Sequence, residues 1–273
     1  MNATGLKASS LAVCGLAHAV IDAICAGILF TLWQHDALTW LEAGVTFGLY
    51  NLLAFGLQPL LGLVVDWSRQ PRAAALLGGA MVAGAAGAFN YWPLPAIVAA
   101  GIGNALFHLG AGSICLQLTP GRATAPGIFV APGDLGLFLG TYLGQTGDFV
   151  AWPFVLVLTG LGVALLRLPS SETTAVQPLR VREWKWIGFV LLLLLGCIGV
   201  RSMVGFSVVM PWKSVFALAL TMSLAVTLGK ALGGVLTDRT GRKRAMMIGA
   251  SFSLVAVLMC GLAPNVTTLM AGR

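Results

Sequence analysis

The chain is short of charge. Lysine, arginine, aspartate and glutamate make up 9% of its 273 residues, against about 25% in ordinary soluble domains. The mean hydropathy is +0.91, which excludes a water-soluble globular protein. Paired cysteines are also missing. Cys14, Cys25, Cys115, Cys197 and Cys260 stand singly inside apolar runs, with no CxxC and no Cys/His ligand spacing. Neither disulfides nor a metal site is therefore expected. There is no P-loop, no GxSxG and no HExxH, so no enzyme and no bound cofactor is expected. Without a nucleotide site, any pumping must draw on an ion gradient. A cleavable signal is absent too: the first apolar run holds His18 and Asp22 and continues to Trp33.

What the chain has in abundance is apolar runs of helix-spanning length. A helix needs about 20 apolar residues to cross a hydrocarbon core of ~30 Å. The runs predict helices at residues 10–33, 40–65, 73–90, 94–118, 124–146, 151–167, 186–209, 215–237 and 244–263. That is an all-α integral membrane protein with about nine transmembrane helices. One long hydrophilic stretch, Pro169 to Lys185, divides it. Residues 1–168 then form a six-helix bundle, 169–185 a linker, and 186–273 the first three helices of a second bundle. Thirty-five glycines suit helices packed through small faces.

The net charge of +7 would suggest nucleic acid in a soluble protein. Here the basic residues alternate with the spans. Lys7, Arg69, Arg72, Arg122, Arg167, Arg180, Arg182 and Lys185 fall on one side, and Lys213 on the other. By the positive-inside rule the N-terminus and the linker are cytoplasmic. The expected surroundings are membrane lipid, in a multi-pass protein of bacterial inner-membrane type, monomeric and without nucleic acid.

The most informative stretch is Gly234-Val-Leu-Thr-Asp238-Arg239-Thr-Gly241-Arg242-Lys243-Arg244. It joins two apolar runs by a short basic turn. A second copy, Gly62-Leu-Val-Val-Asp66-Trp-Ser-Arg69-Gln-Pro-Arg72, begins with the same G-x-x-x-D, and Asp66 and Asp238 stand 172 positions apart. That is about the length of a six-helix half, as inverted or parallel transporter repeats lead one to expect. In the first copy Trp67 replaces the first arginine, and Arg69 stands where the glycine would be.

The stretch resembles the signature loop between the second and third helices of each half of major facilitator superfamily transporters. The resemblance implies twelve helices in two halves, of which this chain supplies the first half and three helices of the second. It also implies a fragment or truncated product that stops at the start of a tenth helix. The glycine would let two helices approach closely, and the aspartate would cap a helix end and pair with arginines, latching one transport state.

Ionisable groups inside spans cost about 2.5–3.5 kcal/mol on insertion scales, so each is a functional candidate. His18 and Asp22 share one face of the first helix, as Asn104 and His108 share one face of the fourth. A histidine and a carboxylate facing a cavity can bind and release a proton; a polar pair that fixes packing is the alternative. The run Gly103-Asn-Ala-Leu-Phe-His108-Leu-Gly-Ala-Gly112, with the His-x-x-x-Asp of the first helix, resembles the fosmidomycin-resistance type of facilitator. That type follows the histidine with Pro and Glu, where this chain has Leu109 and Gly110. The fifth helix, with Gly127, Gly133, Gly136, Gly140, Gly144 and a kinking Pro132, resembles the antiporter signature of drug exporters, which packs against the other half. Asp134 lies inside it. Arg201 in the seventh helix cannot shed its proton and needs a carboxylate, with Asp22 or Asp134 as candidates, or an anionic ligand. Lys230 sits nearer a helix end and reads as a snorkelling side chain.

These residues predict a secondary active transporter of small organic molecules working by alternating access, in the direction of proton-coupled efflux. Protons and a small-molecule substrate are the expected partners. Asp22 is the favoured proton carrier. An importer of a small organic anion, with Arg201 binding the substrate, is the first alternative. A non-transporting membrane protein derived from a truncated facilitator is the second.

Overall fold

The computed structural model describes residues 3–35, 39–167 and 215–262, together with helical residues between 186 and 196. The linker 169–185, most of the expected helix 186–209, Arg201 and the start of a tenth helix lie outside the described residues. Every regular element among the described residues is helical: α1 (Ala3–His35), α2 (Trp40–Asn51), α3 (Gln58–Ser68), α4 (Pro71–Ala88), α5 (Pro93–Leu118), α6 (Thr124–Thr146), α7 (Ala151–Arg167), α8 (Phe216–Thr240) and α9 (Arg242–Leu262). Among the described residues, five stretches are long and apolar enough to cross a membrane: Lys7–Gln34, Leu41–Ser68, Pro93–Leu118, Thr124–Thr146 and Phe216–Thr240. The chain is an all-α membrane protein.

The expected single helix over 40–65 is two helices joined by a π-helical turn, Leu52–Gly56. The cause is Pro59. It has no N–H for the carbonyl one turn back, and its ring crowds that carbonyl. The helix widens before it, so that Leu57 N–H donates to the Leu52 carbonyl at 3.0 Å. The Gln58 side-chain amide donates to the Ala54 carbonyl at 2.8 Å. The start of α2 is fixed by a capping box: Thr39 accepts from the Glu42 N–H, and the Glu42 carboxylate accepts from the Thr39 N–H at 2.9 Å.

Helix α1 lies at the centre, packed on α6, α7 and α5, while α4 pairs with α5 and α6 carries α8. Glycine sets how near these helices come. A methyl built on Gly136 or Gly140 would collide with the backbone carbonyl of Ala19 or Ala23 on α1. The glycine run of α6 therefore serves α1 for the most part. Of the five glycines, Gly127 is the one that meets α8, where a Cβ would stand 2.8 Å from the Lys230 carbonyl and 3.1 Å from Gly234 Cα. Only one end of the run therefore meets α8. Gly110 explains the departure noted after His108. A side chain there would run into the Pro71 carbonyl and the Ala75 amide of α4, so a glutamate has no room.

The two copies of the basic turn share a positive φ but differ in ψ, 148° at Gly241 and 27° at Arg69. Gly241 has φ 87° and Arg69, at the equivalent place, φ 55°. Arg69 caps α3 in the left-handed conformation that glycine adopts without strain.

Candidate functional site

Four polar residues from two helices meet inside the bundle. His18 and Asp22 lie near the middle of the span Lys7–Gln34, and Asn104 and His108 within Pro93–Leu118. Each pair was legible as an i, i+4 face; the structure adds that the two faces converge. His18 Nε2 lies 3.1 Å from Asp22 Oδ2 and 2.8 Å from His108 Nε2. The Asn104 amide donates to Asp22 Oδ1 at 3.3 Å and to the Tyr50 hydroxyl at 2.8 Å. Asn104 and His18 are 1% and 4% exposed.

The backbone holds both imidazoles. His18 Nδ1 donates to the Phe129 carbonyl on α6 at 3.0 Å. His108 Nδ1 donates to the Asn104 carbonyl one turn back, at 2.9 Å. Phe129 lies in the turn that Pro132 interrupts. Proline removes an N–H from the ladder there, and His18 supplies a donor in the same turn. The Phe129 ring also stacks on His18, with centroids 4.9 Å apart. Gly133 clears the space above the pair. A Cβ on it would stand 2.6 Å from His18 Cε1 and 2.7 Å from Asp22 Oδ2. Gly133→Ala should therefore break the His18–Asp22 contact while leaving α1 and α6 folded. The check is the histidine NMR spectrum compared with a folded-state signal such as monodisperse elution.

Asp134 is one residue further along α6 but turns away from the cluster. It pairs with Lys230 of α8 at 2.6 Å. Lys230 is ten residues from Thr240, or about 15 Å along the axis, too far to reach that end of the helix. The snorkelling expectation for Lys230 is corrected: it is the intramembrane partner of Asp134. Arg201, the expected partner of Asp22 or Asp134, lies outside the described residues. Sequence reasoning also passed over Tyr50, which no spacing marks.

The α6–α8 seam runs on in both directions from this ion pair. Toward one end, Phe216 of α8 packs edge-on to Tyr142, with centroids 4.9 Å apart. Toward the other, Asp238 caps α6. Its carboxylate accepts from the Ala123 N–H at 2.7 Å, from the Thr124 N–H at 2.9 Å, and from the Thr124 hydroxyl. The first amides of a helix have no partner within it, and the helix dipole favours an anion there. This is the capping role expected of Asp238. Of its expected arginines, Arg122 is near enough for its charge to act on the carboxylate, with no arginine in direct ion-pair contact among the described residues. Arg242 instead donates to the Gly121 carbonyl at 3.1 Å. Gly234 is buried, as a close-approach glycine must be, with Ala123 O 2.6 Å from where its Cβ would stand.

The cap lies in an open cleft of about 510 Å³ lined by Arg122, Arg239 and Arg242 among others, with Lys243 and Arg244 exposed beside it. In the first copy Gly62 makes only ordinary contact with Leu109 at 3.5 Å. Asp66 and Arg69 are exposed and Arg72 opens α4. Asp66 caps no helix among the described residues.

The absence of metal-ligand spacing in sequence is only half the matter. His18, Asp22 and His108 offer three ligand-type atoms within 4.8 Å of one another, drawn from positions 90 residues apart that no spacing rule could join. No protein-family model, curated protein or solved structure matches the chain.

Proposed function

We propose that the chain is a secondary active transporter of the major facilitator type, moving small organic molecules by alternating access with proton-coupled efflux. The observation that carries this reading is the set of ionisable groups placed together in mid-span. Such groups are costly in lipid and mark ion or substrate paths. The His18–Asp22–His108 cluster supplies a proton site within the first bundle. The seam between α6 and α8 supplies the moving part, because its contacts are separable and spread along its length: the Asp238 cap, the Asp134–Lys230 pair and the aromatic contact at Phe216. Facilitator-type halves rocking about a midplane site need such a seam. The resemblance of the two basic turns supports the same reading, with that end of the bundle cytoplasmic.

The test is accumulation in inverted membrane vesicles, with fosmidomycin and a panel of small organic anions and cations as probes. The expected result is uptake that collapses when an uncoupler removes the proton gradient. Uptake indifferent to the uncoupler, or none above empty vesicles for any probe, contradicts the proposal. Asp22→Asn keeps the shape and the bond to Asn104 but removes the counter-charge of His18. It should abolish uphill accumulation, leaving downhill exchange within about threefold of the parent.

Asp238→Asn should act differently. It weakens a cap that matters in one conformation only, so turnover should fall while probe affinity stays the same. Equal losses in both would remove the latch.

A further inference from the structure

We infer that the buried cluster holds one exchangeable proton, and that its seat is Nε2 of His18 rather than the carboxylate of Asp22. The argument is a count of donors. A carbonyl oxygen can only accept. His18 Nδ1 faces the Phe129 carbonyl and His108 Nδ1 faces the Asn104 carbonyl, so each ring carries its Nδ1 hydrogen. In a neutral imidazole the other nitrogen is then a bare lone pair. Two such lone pairs face each other at 2.8 Å, and a carboxylate oxygen stands 3.1 Å from one of them. With no further proton both contacts are repulsive. A proton on His108 satisfies the first contact and leaves the second repulsive. A proton on Asp22 satisfies the second and leaves the first. A proton on His18 Nε2, the middle atom, satisfies both, because each neighbour is an acceptor.

The charges agree with this seat. His18 as imidazolium is neutralised by Asp22, whose other oxygen is held by Asn104. Among the described residues, the other charged groups of this region, Asp134 on α6 and Lys230 on α8, neutralise each other. The five groups are neutral with one proton and carry one negative charge without it.

Proton loss has a mechanical consequence. His18 stays tied to α6 through Phe129, while its contacts to His108 and Asp22 turn repulsive. Deprotonation thus favours parting of α1 from α5. This consequence rests on the transport reading; the location of the proton does not.

The test is nitrogen-15 NMR of the full chain, labelled at histidine and held in lipid nanodiscs. There are three histidines, and His35→Gln removes the one outside the cluster. The expected spectrum has both remaining rings protonated at Nδ1, one of them also at Nε2, and a scalar coupling between the two Nε2 nuclei across the shared hydrogen. A neutral His18 with the proton on Asp22, read from the carboxyl carbon shift, overturns the inference. So do two neutral rings without coupling. Zinc chloride supplies an independent arm, because zinc needs the same lone pairs. Zinc should enter only with release of one proton per ion; entry without release overturns the inference. No transported compound is involved, so failure of the vesicle assay leaves this result readable.

Discussion

Gly136→Ala is expected to be the most damaging small substitution in the bundle. The added methyl would stand on the Ala19 carbonyl, 2.6 Å from its carbon and 2.8 Å from Ala19 Cα. These are backbone atoms and cannot rotate aside, so α1 and α6 must separate. Overpacking of a tight interface costs about 1–3 kcal/mol, and here the separation is felt along the whole seam: Gly140 and Gly144 meet α1 in the same manner. Gly160→Ala is the control. Nothing lies within 4 Å of its Cβ position, and alanine is the better helix former by about 1 kcal/mol. Thermal melts in detergent should place Gly136→Ala several degrees below the parent and Gly160→Ala at or above it. Equal melting of the two variants would mean that α1 and α6 are not in backbone contact.

His18→Gln should have the largest effect on function. Glutamine is close in size and can keep a hydrogen bond to the Phe129 carbonyl, but it cannot carry the extra proton. The variant should fold, and its proton uptake on acidification should fall by one per chain relative to the parent. Uphill accumulation of any probe should drop at least tenfold. His108→Gln should be milder, because its amide oxygen can still accept from a protonated His18. If His108→Gln proves as damaging as His18→Gln and both lose the proton, the middle-atom argument fails.

Much of this was legible in the residues, for reasons that also mark where legibility stopped. The spans were readable because lipid demands long apolar helices. The basic turn around Asp238 was readable because its glycine and aspartate spacings serve one job. Helical periodicity gave His18 with Asp22, and Asn104 with His108, but it says nothing of which helices touch. That the two pairs form one cluster is a property of the tertiary packing. The Asp134–Lys230 pair is similar: two lone charges in separate apolar helices, joined only by the α6–α8 seam. The π turn at Leu52–Gly56 was signalled by Pro59, and the reading ran through it. Arg69 is the converse case. Sequence suggested decay of the repeat, yet both positions keep a positive φ.

The central claim is that one buried proton on His18 sets the conformation of the chain. The most direct measurement places spin labels at Ser68 and Arg239, on the two basic turns, in the full chain in lipid nanodiscs. The distance distribution between them is recorded from about pH 5 to about pH 8, the range over which a histidine changes charge. The expected result is two populations whose ratio shifts across that range in the parent and stays fixed in His18→Gln. A single distribution unmoved by pH, or the same shift in both proteins, would contradict the account.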